Sequence, residues 1–325
     1  VPAGAGASPL VSGRSPQYCR LEEDLAAFEH AEAAILFPSG FAANVGTVTA
    51  LVGPGDTVFS DRLNHASLID GCRLSGAHLQ IYEHRSLERL DGQLAKATGT
   101  HRRLIVTDGL FSMDGTLAPL ESLCDLADKH DAMLLVDEAH ATGVLGVSGR
   151  GSCELLGVED RVTLRIGTLS KAVGAAGGFV VGSTTFIDHL WHHARTQVFS
   201  TAIPPATCAA ASAGLRLIGE ESDLREHLHR LANRLRERLA HLQLDTPSAT
   251  GPIVPVILGD AAVALAASDR LTERGLFVPA IRPPSVPRGS ARLRISLSAA
   301  HSDDHVDCLA ASLAEITTGE VVRRE

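Results

Sequence analysis

The sequence has little of what would mark several large classes of protein. Its six cysteines, at 19, 72, 124, 153, 208 and 308, form no C-x-x-C pair and no metal-like spacing. Neither a disulfide framework nor a zinc module is therefore expected, and the thiols read as the reduced cysteines of a cytoplasmic protein. A net charge of −9 leaves no basic excess, which argues against non-specific nucleic-acid binding. A small anionic ligand stays open, because it needs only a few local donors. No apolar run approaches the ~20 residues of a membrane span, and no basic segment leads into an apolar one as in a signal peptide. Absent too is G-x-x-x-x-G-K-[ST], the loop that cradles nucleotide phosphates. That absence excludes a helicase reading of "LLVDEAH" (134–140), which otherwise looks like an Mg²⁺-binding strand.

What is present is an ordinary globular composition, 45% hydrophobic and 21% charged over 325 residues, enough for one large domain and a smaller one. Short β-rich runs alternate with helical patterns. The runs are "AAILF" (33–37), "DTVFS" (56–60), "HLQIY" (78–82), "RLIVTDG" (103–109), "AMLLVDE" (132–138), "VTLRIG" (162–167) and "GGFVVG" (177–182). Two of them are almost wholly apolar, as suits a mainly parallel sheet covered on both faces. After about residue 205 an alanine-rich helix leads into "LREHLHRLANRLRERLAHLQ", with leucines at helical spacing. Strand-like "PIVPVIL" (252–258), "LFVPAI" (276–281) and "ARLRISL" (291–297) follow. The expected architecture is α/β: a large domain over 1–215 and a small α+β domain over 216–325.

The chemistry centres on "GTLSKAVGAAGGFVVG" (167–182), where Lys171 stands among small and apolar residues with Thr168 and Ser170 just before it. Asp137 ends an apolar strand and His140 follows it, at the end of the sheet where open α/β folds bind ligands. Asp137 and Lys171 are separated by about one βαβ unit. A carboxylate and an amine so placed form an ion pair or bracket a cofactor ring; pyridoxal phosphate needs a lysine for its Schiff base and an aspartate at its ring nitrogen. "FPSGFAANVGTVTAL" (37–51) offers a phosphate cradle, with Ser39, Gly40 and Phe41 opening a helix whose free amides favour an anion. His65 lies in "DRLNHASLIDG" between a strand and a helix, and Ser112 follows another apolar strand in "TDGLFSMDG". His189 and His193 have zinc-compatible spacing but no acidic or cysteine partner nearby, so no metal is expected.

The strings "SGFAAN", "DRLNHASLIDG", "TDGLFSMDGTLAPL", "VDEAHATGVLG", "GTLSKAVGAAGGFVVG" and "FSTAIPP" resemble, in order and spacing, those of the α-oxoamine synthases. These are fold-type I pyridoxal-phosphate-dependent transferases, which condense an amino acid with an acyl thioester and release CO₂. The resemblance spans essentially the whole chain. "PIVPVILGD" and "AIRPPSVPRGSARLRISLSAAH" are similar to the branch that joins L-alanine to a pimeloyl thioester, carried on CoA or a carrier protein. Relatives that use glycine typically have tyrosine-proline where this chain reads Arg282-Pro283-Pro284. A glycine C-acetyltransferase type of enzyme and a non-catalytic pyridoxal-phosphate-binding relative are the alternatives.

By that resemblance Lys171 is the Schiff-base lysine, Asp137 the ring-nitrogen partner, His140 the partner of the ring hydroxyl and His65 the stacking histidine. Ser112 and Thr168 contact the cofactor, and Gly40 and Phe41 face the phosphate. Thr201 is a phosphate ligand supplied by a second subunit, which implies a homodimer with shared sites. Arg294 takes the amino-acid carboxylate. Arg282 is a candidate for the distal carboxylate of the acyl chain, beside prolines that limit its loop. Family members usually carry a further N-terminal segment of several dozen residues, so the chain reads as lacking one. Pro9 and Tyr18 stand where an arginine and a histidine are common.

Overall fold

The structure, a computed structural model, describes residues 3–318. The chain divides into two compact units. One holds the residues up to Phe111 together with Ala118–Ser222; the other holds Ser112–Leu117 and the residues from Asp223 onward. The expected boundary at 215/216 falls inside the helix Pro205–Glu220, which groups whole with the first unit.

The first unit is built on strands β1 (Ala33–Phe37), β2 (Thr57–Asp61), β3 (His78–Tyr82), β4 (Arg103–Asp108), β5 (Met133–Asp137), β6 (Leu164–Thr168) and β7 (Gly178–Gly182). They form one seven-stranded sheet in the order β1-β7-β6-β5-β4-β2-β3. Strands β3, β2, β4, β5 and β6 run parallel, and β7 is antiparallel to both its neighbours. The reason for that reversal is length. Residues 169–177 leave no room for the helical crossover a parallel return requires.

Alternate side chains of the central strands enter different cores. Val58, Leu104, Val106, Leu135 and Ile166 pack on one face with Val48 of α2 (Gly40–Leu51, following α1, Pro16–Phe28) and Leu68 of α3 (Ala66–Leu74). Phe59, Ile105, Leu134 and Val136 pack on the other face against Leu90, Leu94 and Leu123. A strand covered on both sides has no polar alternation, which is why β5 reads as an apolar run ending in aspartate. At the β1–β7 end, Leu36, Phe179 and Val181 pack on Leu21 and Leu25 of α1 and on Cys208 and Leu215. The start of α1 is set by Ser15, whose hydroxyl accepts the Tyr18 amide at 3.2 Å, with Pro16 as the first helical residue.

The second unit carries strands β8 (Ile253–Gly259), β9 (Ala280–Ile281) and β10 (Ala291–Ser296) in the order β8-β10-β9, all antiparallel. Its core joins Leu231, Leu235 and Leu239 with Val254, Val256, Leu293 and Leu313. The expected strand 276–281 shrinks to two residues. Pro279 has no N–H to give a ladder, and Phe277 is left 86% exposed. Among the described residues no helix is long and apolar enough to cross a membrane.

Candidate active site

Four strands of the first unit end in polar residues: β2 in Asp61, β4 in Asp108, β5 in Asp137 and β6 in Thr168. Just beyond the ends of β4, β5 and β6 is a cavity of about 200 Å³. Its lining includes Ser39, Gly40 and Phe41, then His65, Asp137, His140 and Lys171, all from the first unit. These seven residues, all singled out in the sequence, thus come together in one place, joined by Thr168 and Ser170.

Asp137 is buried and satisfied. Its Oδ2 accepts Asn44 Nδ2 at 2.6 Å and its Oδ1 accepts the Ala139 amide at 2.8 Å. The next residue, Glu138, is turned away and held by three donors: the Ser152 amide at 2.9 Å, its hydroxyl at 2.7 Å and the Cys153 amide at 2.8 Å. The second acid of the D-E-A-H string is therefore a structural anchor. His140, half-buried, lies with Nε2 3.1 Å from Lys171 Nζ.

Lys171 sits in the loop between β6 and β7. Thr168 shapes the start of that loop, donating its hydroxyl to the Gly177 carbonyl at 3.0 Å while lying 2.8 Å from the Ser170 hydroxyl. The sequence suggests an apolar setting for the amine. The structure corrects this: Lys171 is exposed, and its neighbours in the cavity are chiefly polar. The small residues around it serve backbone approach instead. A Cβ on Gly178 would stand 2.5 Å from the Ser39 carbonyl oxygen and 2.7 Å from the Gly40 nitrogen, so only glycine lets the start of α2 seat against β7. There Ser39 caps the helix, its hydroxyl accepting the Ala42 amide at 3.1 Å, and Gly40 and Phe41 open the first turn beside the cavity.

His65 caps α3, its Nδ1 accepting the Ser67 amide at 3.3 Å, and its own amide donates to Asp108 Oδ1 at 3.2 Å. Asp108, unremarked in the sequence, is buried beside Asp137. Desolvation and the neighbouring Asp137 carboxylate push its pKa well above the usual carboxylate range. The signal was available: "RLIVTD" ends as "MLLVD" does, an apolar strand stopping on an aspartate. Asn44 was within a quoted motif but carried no local cue.

The remaining site candidates lie elsewhere. Thr201 is exposed on the first unit, between the helices Arg195–Val198 and Pro205–Glu220. Ser112 and Arg294 belong to the second unit, where Arg294 Nε donates to the Ser112 carbonyl at 2.6 Å and its guanidinium also reaches Ser296 Oγ at 2.7 Å. Burial lowers the Arg294 pKa. Arg292 on the same strand pairs with Asp114. Arg282 is exposed just after β9. His189 donates Nε2 to the Ala50 carbonyl at 2.8 Å, and its ring stacks on His193.

Comparison with known proteins adds a second line. The family model described as aminotransferase class I and II matches residues 8–313. The 8-amino-7-oxononanoate synthase of Anaeromyxobacter dehalogenans is 53% identical over 314 residues, covering 97% of this chain and 79% of its own length. That of Alkalilimnicola ehrlichii is 51% identical over 315 residues, with 97% and 80% covered. The chain belongs to the 8-amino-7-oxononanoate synthase family.

Among solved structures, serine palmitoyltransferase of Sphingomonas wittichii superposes with a TM-score of 0.94 at 36% identity, covering 97% of this chain and 80% of that one. The 8-amino-7-oxononanoate synthase of Francisella tularensis gives 0.83 at 29%, with 94% and 88% covered. The fold is that of the fold-type I pyridoxal-phosphate transferases, and the protein is an acyltransferase of the α-oxoamine synthase type with pyridoxal 5′-phosphate as its cofactor.

Proposed function

We propose that this chain condenses L-alanine with a pimeloyl thioester, on CoA or a carrier protein, giving 8-amino-7-oxononanoate, CO₂ and free thiol for biotin synthesis. The observation that carries this reading is the single cavity lined by Lys171, His140, Asp137 and His65, in a chain about half identical to synthases of that name.

The donor set suits the cofactor. A buried carboxylate with two donors of its own stays available to a ring nitrogen, a helix start offers amides to a phosphate, and an exposed amine can reach a carbonyl. When bound, pyridoxal phosphate supplies an electron sink for the α-carbon of the amino acid. Asp137 holds a proton at the ring nitrogen, and Asn44 and the Ala139 amide keep that carboxylate aimed. Gly40 and Phe41 hold the phosphate end through their amides, and Thr168 contacts the cofactor. His65 would lie against the ring face, and His140, beside Lys171 Nζ, would hold the ring hydroxyl. Lys171 would hold the cofactor through Nζ, and the same amine would be the base that takes the α-proton of alanine and the acid that returns one. Arg294 binds the alanine carboxylate, Ser112 contacts the cofactor, and Arg282 binds the distal carboxylate of the pimeloyl chain.

The same reading includes a homodimer in which Thr201 of one subunit completes the phosphate site of the other. The exposed apolar side chains Leu10, Val11, Phe41 and Phe199 of the first unit support it, since such exposure suits a covered face. The cytoplasm is the proposed setting, in keeping with six free cysteines. The test is the mass of the product formed from alanine or glycine with a panel of acyl thioesters. The alanine–pimeloyl product should dominate; acetyl-CoA with glycine as the preferred pair would overturn the proposal.

A further inference from the structure

Asn44 lies in the middle of α2, 2% exposed, and does not merely satisfy itself: its Oδ1 is buried with no hydrogen-bond partner. An unpartnered carbonyl opposes folding, so the residue's use must lie in its two amide protons. Nδ2 stands 2.6 Å from Asp137 Oδ2 and 2.8 Å from Ser67 Oγ. An ionised carboxylate only accepts, which fixes the amide orientation: nitrogen toward Asp137. One N–H then goes to Asp137 and the other to Ser67.

The rest follows by counting protons. Ser67 Oγ accepts from Asn44, so its own proton is free to donate, and His65 Nδ1 lies 2.7 Å away. The Ser67 backbone amide donates to the same nitrogen at 3.3 Å. With Nδ1 accepting from two donors, the ring proton resides on Nε2. We infer that Asn44 is a positioning residue, which through Ser67 sets His65 as the Nε2–H tautomer while its other amide proton holds Asp137. The residue aimed at the ring nitrogen and the residue on the ring face are thus tied by one polar chain, Asp137–Asn44–Ser67–His65. The tautomer assignment stands on hydrogen-bond geometry; its consequence for catalysis rests on the proposed function.

Nitrogen NMR of the cofactor-loaded full chain, labelled with ¹⁵N-histidine, tests it, with His65 identified by its loss in His65→Gln. The Nδ1 of His65 should resonate as an unprotonated acceptor and Nε2 should carry the proton. Asn44→Ala leaves the Ser67 hydroxyl free to turn, and the Nε2–H to Nδ1–H ratio should fall about tenfold, the worth of one hydrogen bond. Wild-type His65 protonated on Nδ1 overturns the inference. So does an unchanged ratio in Asn44→Ala, even if its melting temperature falls, because a merely structural asparagine would change stability alone. If Asn44→Ala does not fold, Ser67→Ala decides, since it removes the hydroxyl from a small side chain; an unchanged ratio there overturns the inference. Lack of activity toward alanine and acyl thioesters would sink the proposed function and leave this result standing.

Discussion

Asp108 and Asp137 are register partners at the carboxyl ends of the parallel strands β4 and β5. Two buried carboxylates side by side do not both ionise readily. Asp137 accepts a 2.6 Å and a 2.8 Å hydrogen bond, whereas Asp108 accepts the His65 amide at 3.2 Å. The proton of the pair therefore rests on Asp108, in line with its raised pKa.

That proton makes stability depend on pH. The unfolded chain releases it above an ordinary aspartate pKa of about 3.9, while the folded protein keeps it to higher pH. The folded state then binds more protons than the unfolded one, so this contribution is present below the unfolded pKa and is lost as pH rises through the folded pKa. Asp108→Asn mimics the protonated form. It should melt above the wild type at about pH 8 and lose that advantage toward about pH 4. A difference in melting temperature that is constant across this range would show that Asp108 carries no displaced proton.

Lys171→Ala should leave the fold intact, because the side chain is exposed and its loop is held by the Thr168 hydroxyl and the Leu169 amide on the Gly177 carbonyl. The borohydride-reducible link to pyridoxal phosphate should disappear, together with the visible absorbance of the purified protein. Peptide mass spectrometry after reduction checks this; reduced cofactor on any other lysine refutes the assignment.

Asp137→Asn preserves shape but removes the charge that keeps a proton on the ring nitrogen. Exchange of the α-proton of alanine with solvent, followed by NMR, should slow by orders of magnitude, each factor of ten being ~1.4 kcal/mol of barrier. Unchanged exchange would reduce Asp137 to an anchor for the Ala139 amide.

Arg282 follows β9 and opens the loop "RPPSVPRGS", where Arg288 is also exposed. If it binds the free carboxylate of a pimeloyl chain, Arg282→Ala should cost ~1.5–3 kcal/mol in kcat/KM for that substrate, as for a hydrogen bond to a charged group. Turnover of an uncharged acyl thioester of similar length should barely change. Equal losses on both would assign the arginine to the loop itself.

Much of the sheet was legible in the chain. "AAILF" and "HLQIY" coincide with β1 and β3: the first is a short apolar run buried in the sheet, and the second is an edge strand, with Tyr82 alone buried, that its Ile and Tyr favour as a strand. Lys171, Asp137, His140 and His65 were also legible, since each ends or follows such a run and strand ends are where an α/β sheet exposes polar groups. Local pattern could not reveal who meets whom across the sheet. Asn44 reaches Asp137, and Asp108 stands beside it, only because β5 has β4 as a neighbour and α2 packs over the strand ends. Nor could it reveal that Lys171 is exposed, or that Ser112–Leu117 groups with the second unit. Periodicity reports what a residue's near neighbours bury, whereas strand order and long-range hydrogen bonds are settled by the packing of segments far apart in the chain.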